Sequence, residues 1–94
     1  MKSVKVLKDW QVYLVKCSDG SLYCGVTKNL ENRLLKHNQG TASKYTRSRL
    51  PVELVGVRKN LTKTQAFQLE YKIKKLAAGK KISALTTTLH ITTS

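Results

Sequence analysis

Two runs rich in β-branched and aromatic residues, Trp10 to Cys17 (WQVYLVKC) and Ser21 to Thr27 (SLYCGVT), flank Ser18-Asp19-Gly20 and predict a β-hairpin. Turn length decides its register. A two-residue Asp19-Gly20 turn would pair Ser18 with Ser21 and send Tyr13 and Tyr23 to opposite faces. A three-residue loop, with Gly20 left-handed, pairs Cys17 with Ser21, Val15 with Tyr23 and Tyr13 with Gly25. This second register gathers Val12, Leu14, Leu22, Cys24 and Val26 on one apolar face. Tyr13, Val15, Tyr23, Gly25 and Thr27 share the other. The cleaner segregation favours it, and it separates Cys17 from Cys24.

Beyond the hairpin the pattern turns helical. Asn29 is placed to cap a helix from Leu30 to about Asn38, with Leu30 and Leu34 spaced to pack on the sheet. Arg33 and His37 share the same spacing on another side, and Gly40 ends the helix. Gly40 to Leu50 (GTASKYTRSRL) reads as a connecting loop. Pro51 opens a third strand, Val52 to Arg58. Thr62-Lys63-Thr64-Gln65 fits a capping box for a helix from Thr62 to Ala78, with Gly79 as its stop. Lys80 to Leu85 suggests one more short helix, and the Thr-rich tail, Thr86 to Ser94, is expected to be poorly ordered.

In the long helix Ala66, Leu69, Ile73 and Ala77 form a core-directed stripe, and Glu70 lies inside it. Glu70 is the only acid after Leu54. Carboxylates are rarely buried unless paired or bound to a metal, so Glu70 is either a metal ligand or the partner of Arg33 or a lysine.

Charge narrows the partner. The 94 residues form one small domain with 18 Lys+Arg against 5 Asp+Glu, a net charge of +13. That excess points to a polyanion, and no acid interrupts the stretch from Asn32 to Val52 that holds Lys44, Arg47 and Arg49. These three are candidate phosphate contacts, or plain solvated charge. A membrane surface is disfavoured, because no long apolar run is present. The N-terminus lacks a signal-peptide pattern, which suggests a cytoplasmic protein. Cys17 and Cys24 read as reduced packing residues.

Phosphate loops, dinucleotide fingerprints and HExxH are absent. What remains is Tyr13, Tyr23, Arg33, His37 and Glu70, a set suited to phosphodiester cleavage. Glu70 could hold one Mg²⁺ or Mn²⁺ and Arg33 could stabilise transition-state charge. Tyr23 or His37 could take a proton from the attacking water, the ordinary pKa values of about 10 and about 6.5 favouring His37. Each also has a plainer reading: Tyr13 as a half-buried strand aromatic, Arg33 and His37 as surface residues. His90, alone in the tail, carries nothing.

The order of these residues resembles the GIY-YIG nuclease family. The resemblance runs through Gln11-Val12-Tyr13, Tyr23-Cys24-Gly25, Thr27, Asn29-Leu30, Arg33-Leu34 and Glu70. His37-Asn38-Gln39-Gly40 through Lys44-Tyr45-Thr46-Arg47 and Leu50-Pro51 is similar to a narrower branch. That branch holds small stand-alone bacterial proteins and the catalytic domain of the scaffold-dependent structure-specific endonuclease. The resemblance implies an α+β fold, a three-stranded antiparallel sheet flanked by helices, with residues 10–79 as the nuclease domain. Residues 1–9 would precede it, and residues 80–94 would follow as a short helix and tail. It implies metal-dependent hydrolysis of DNA, branched or flapped as met in repair or recombination, and allows for a partner subunit supplying specificity. By position Tyr13 builds the site, Tyr23 is the candidate general base, Arg33 binds phosphate and Glu70 is the metal ligand. His37 and Tyr45 match further site positions. Gln11 and Cys24 depart from the motifs, with small effects expected on geometry.

Two classes of function follow: a metal-dependent endonuclease, or a non-catalytic DNA- or RNA-binding module. Both bind nucleic acid in a salt-sensitive way, so only cleavage separates them. The endonuclease reading places Glu70 across a shallow cleft from Arg33, near both tyrosines, with its carboxylate open to solvent.

Overall fold

The computed structural model describes residues 7–86. Strands β1 (Trp10–Lys16) and β2 (Leu22–Thr27) form an antiparallel hairpin in which Val15 faces Tyr23 and Tyr13 faces Gly25. The Cys17 N–H donates to the Ser21 carbonyl at 2.8 Å, and Gly20 turns the chain at φ +87°. A side chain in that left-handed region costs about 1–2 kcal/mol, which glycine escapes. The three-residue loop therefore sets the register that brings the tyrosines to one face.

Strand β3 (Glu53–Leu61) pairs antiparallel with the other side of β1, so the sheet order is β2-β1-β3. This is the α+β fold expected, with four helices around one sheet. Helix α1 (Leu30–Asn38) is capped by Asn29, whose side chain accepts from the Asn32 N–H. A short helix, α2 (Lys44–Arg47), follows, then α3 (Lys63–Lys74) and α4 (Ala78–Thr86). Thr62 and Gln65 form the capping box of α3.

The two faces of the sheet carry separate cores. On one, Val12, Leu14 and Cys24 pack with Ala66 and Ile73 of α3 and Leu85 of α4. On the other, Tyr13, Val15, Cys17 and Val52 pack with Leu30 and Leu34 of α1, and with Tyr23. Arg58 clamps α4 to the sheet, its Nε donating to the Leu85 carbonyl at 3.0 Å. The last helix thus packs into this core through Leu85.

Several boundaries differ from expectation. The Gly40–Leu50 segment is not wholly loop, because Ser43 accepts from the Thr46 N–H and starts α2. β3 begins at Glu53 and runs on to Leu61. Asn60 at φ +62° accompanies a register shift that lets Leu61 face Trp10, a bulge that the polar Lys59-Asn60 pair hides in the sequence. α3 stops at Lys74, and Gly79 sits in the first turn of α4 instead of ending α3. The Lys81 ammonium donates to the carbonyls of Ile73 and Lys74 at 2.9 and 3.2 Å, closing α3 early with a cation at its negative end. Ala77 consequently leaves the core stripe and is exposed. The expectations for the Thr-rich tail beyond Thr86 and for His90 lie outside the described residues.

Candidate active site

Tyr13 stands on the central strand and is almost fully buried. Its ring lies over Gly25 of the neighbouring strand. A β-carbon there would meet the Tyr13 hydroxyl, and would lie 2.6 Å from Cζ and 2.9 Å from Cε2. Glycine is required at this position by contact. Gly25→Ala is expected to lower stability by about 1–3 kcal/mol through overpacking, read as a drop in the urea midpoint. An unchanged midpoint would mean that the ring can move aside.

The Tyr13 hydroxyl is held from α1. It shares a 2.8 Å hydrogen bond with Nε2 of His37, whose Nδ1 shares another of 2.8 Å with the Thr46 hydroxyl. Ser43 Oγ continues the chain at 3.0 Å. Tyr13, His37 and Thr46 are buried, so this line of polar groups runs from the sheet through α1 to α2 away from solvent until it ends at the half-buried Ser43. Burial, and then the Arg33 charge, push the His37 pKa below its ordinary value and keep the ring neutral. Burial first, and then the neighbouring Tyr23, hold the Tyr13 phenol above its ordinary range. Both groups are buried, which corrects the plainer reading of His37 as a surface residue.

Tyr23 is the more accessible phenol. It lies on the edge strand, 6.5 Å from Tyr13 between ring centroids and 5.3 Å from His37. Tyr45 stacks on its far side at 5.9 Å and 25°. Arg49 covers Tyr45 at 4.0 Å, donates to the Tyr45 carbonyl at 2.7 Å and pairs with Asp19 at 3.0 Å. Three residues of the basic segment therefore differ in role. Arg49 braces the aromatic stack, whereas Lys44 and Arg47 are exposed on α2.

Arg33 and Glu70 approach from opposite sides of the sheet. Arg33 is half-buried on α1, and its charge acts on both Tyr13 and His37. Glu70 is on α3, which packs on the other face, yet its charge reaches Tyr13 and Cys24. Its neighbour Lys74 lies 5.9 Å from the Tyr23 ring centroid. Both charges are thus felt at the Tyr13 phenol, from helices on opposite faces of the sheet.

The Glu70 carboxylate is not open to solvent as expected. Its side chain is 18% exposed and Oε2 is 3.0 Å from the Lys74 ammonium, while Lys74 is 51% exposed. Burial opposes the Lys74 charge, but the hydrogen bond and charge of Glu70 overcome it and hold the ammonium above the ordinary lysine range. Glu70 is neither sealed in the core nor free. Among the described residues no group of three or more His, Cys, Asp or Glu gathers as a metal cluster. Burial pushes the Cys24 thiol up to about 12, as suits a packing residue. Gln11 Oε1 is buried without a hydrogen-bond partner, and nothing in the structure explains it.

The family model for the GIY-YIG catalytic domain matches residues 9–82. The chain belongs to the GIY-YIG family. It is 46% identical over 74 residues to a UPF0213 protein of Staphylococcus saprophyticus, covering 79% of this chain and 90% of the relative. A UPF0213 protein of Nitratidesulfovibrio vulgaris is 41% identical over 87 residues, covering 93% and 79%. A solution NMR structure of a protein from E. faecalis aligns with a TM-score of 0.58 and 36% identity, over 97% of this chain and 93% of that one. GIY-YIG membership points to a nuclease, and nucleases of this family act on nucleic acids. The UPF0213 names carry no activity, substrate or metal.

Two residues of this GIY-YIG site were missed in the sequence. Thr46 looks like one more small polar residue in a basic loop, and only the fold turns its hydroxyl toward His37. Lys74 had a readable signal, since it stands four residues after Glu70 on one helix. Among the described residues no helix is long and apolar enough to cross a membrane.

Proposed function

We propose that this protein is a divalent-metal-dependent endonuclease that hydrolyses DNA phosphodiester bonds, with branched, flapped or single-strand-containing DNA as its substrates. One observation carries the reading. The Tyr13 phenol is bonded to His37 and lies within the electrostatic reach of Arg33 on one side and Glu70 on the other. Groups from two strands and two helices thus act on one phenol, and a phosphate could approach beside it.

The donor set fits a hard cation. Mg²⁺ keeps most of its waters and takes one or two carboxylates plus substrate phosphate oxygens, so a single carboxylate such as Glu70 suffices. When bound there, Mg²⁺ or Mn²⁺ would polarise the phosphate and stabilise the leaving oxygen. Arg33 would bind the phosphate and offset its added charge in the transition state. Tyr23, the more accessible phenol, would take the proton of the attacking water, with the Lys74 cation beside its ring. Tyr13, His37 and Thr46 would act as positioning residues, fixing the tyrosine face by their hydrogen bonds. Lys44 and Arg47 would bind flanking phosphates.

The Glu70–Lys74 pair favours a second reading, a non-catalytic DNA- or RNA-binding module, because the carboxylate already has a cation. Purified protein incubated with branched, flapped and single-stranded DNA separates the two. Cutting with Mg²⁺ or Mn²⁺ that stops in chelator is the expected result. No cutting of any substrate would leave the binding module, and cutting that persists in chelator would remove the metal.

A further inference from the structure

The outer face of α3 carries a row that the proposed chemistry does not use. Lys63, Phe67, Tyr71 and Lys75 follow one another at intervals of four residues, so they stack along one side of the helix and its cap. Phe67 is 41% exposed and Tyr71 is 63% exposed. Trp10 packs beside Phe67, 5.6 Å between centroids, and extends the aromatic surface to the sheet. Lysines sit over these rings: Lys75 is 4.2 Å from the Tyr71 centroid, and Lys28 and Lys63 are 5.8 and 6.0 Å from that of Trp10.

We infer that this row is a stacking platform for an unpaired DNA strand entering or leaving the cleavage site, an inference that rests on the nuclease reading. Exposed rings gathered in one contiguous row and rimmed by polar residues mark an interaction site, and the lysines among them call for an anion. A second copy of this chain is a poor occupant, because each copy brings a net charge of +13 and the same lysines. The nearby acids are engaged, Asp9 with Lys28 at 3.7 Å and Glu70 with Lys74 at 3.0 Å. A membrane would need a broader apolar stripe than two rings between lysines.

Spacing selects an unpaired strand over a duplex. Residues four apart on a helix are separated by about 6 Å along the axis. Stacked bases of a duplex rise by about 3.4 Å per step and hide their faces from side chains. Phe67 and Tyr71 are thus set to receive two bases of an extended strand, one each, with backbone phosphates left to the lysines. The adjacent row on α3 is Glu70 and Lys74, so the platform abuts the proposed site and the strand has a continuous path.

Binding in chelator tests this without requiring cleavage. Fluorescence anisotropy of a labelled oligo-dT, and quenching of Trp10, the single tryptophan, report occupancy. Tyr71→Ala, at an exposed position, is expected to bind oligo-dT at least about fivefold more weakly, with Phe67→Ala similar and Tyr71→Phe unchanged. A duplex of the same length should be insensitive to Tyr71→Ala and leave Trp10 unquenched. Wild-type affinity in both alanine variants, or an equal loss for duplex, would overturn the platform. So would tighter binding of the matched ribo-oligonucleotide, or self-association that the alanine variants abolish. The nuclease reading fails separately, by an absence of cutting.

Discussion

Glu70→Ala is expected to slow DNA cleavage about a thousandfold or more at saturating Mg²⁺, while the thermal midpoint moves by only a few degrees. The two effects have different origins. A metal at the scissile phosphate supplies several kcal/mol of transition-state stabilisation, and each 1.36 kcal/mol is about tenfold in rate. The stability at stake is smaller. Glu70 and Lys74 form an i, i+4 pair with a half-exposed lysine, worth about 0.3–0.5 kcal/mol. In a domain of this size about 1 kcal/mol corresponds to 4–8 °C. Initial cleavage rates together with a circular-dichroism melt distinguish the outcomes. Retained cutting sinks the metal-ligand role, and a melt lowered by tens of degrees makes Glu70 a structural residue instead.

His37→Phe is expected to have the largest effect on stability, about 2–4 kcal/mol at pH 7. The phenyl ring fills similar space but leaves the Tyr13 hydroxyl without its 2.8 Å partner, a buried orphan that costs about 1–3 kcal/mol, while Thr46 loses one bond of about 1 kcal/mol and keeps Ser43 Oγ at 3.0 Å. The same substitution should flatten the response to acid. His37 titrates below its ordinary value in the folded protein, through burial first and Arg33 second. Above about pH 6.5 the ring is neutral in both states and contributes no pH dependence. As pH falls below that value, the unfolded chain binds a proton that the folded chain refuses, so stability declines. The decline ends once pH passes the depressed folded pKa. Urea midpoints at pH 7 and pH 5 should therefore differ more in wild type than in His37→Phe. Equal shifts in the two proteins would show that another group carries the acid response.

Local chemistry was the most legible part of the chain. The hairpin register could be read because a one-residue slip would mix the faces, and the loop of Ser18-Asp19-Gly20 settles it with a left-handed glycine. The caps of α1 and α3 were readable because each is a bond between residues three apart. Helix ends were less so. α3 stops where Lys81, seven and eight residues further on, reaches back to its last carbonyls, and no pattern inside the helix announces that. α2 stayed hidden because four residues are too few for a period.

By itself the sequence determined that Tyr13 and Tyr23 share a face, that Arg33 and His37 share a helix side, and that Glu70 is an acid out of place on an apolar stripe. Each of these depends on spacing within one element or one hairpin. Only the tertiary structure decided what the residues do to one another. Packing α1 and α2 on one face of the sheet buries His37 between Tyr13 and Thr46, which removes it from solvent and keeps it neutral. Packing α3 on the opposite face leaves the Glu70 side chain only 18% exposed and sets its helix neighbour Lys74 beside the Tyr23 ring. Burial and partner choice depend on which elements cover which face, and in this chain those elements lie tens of residues apart.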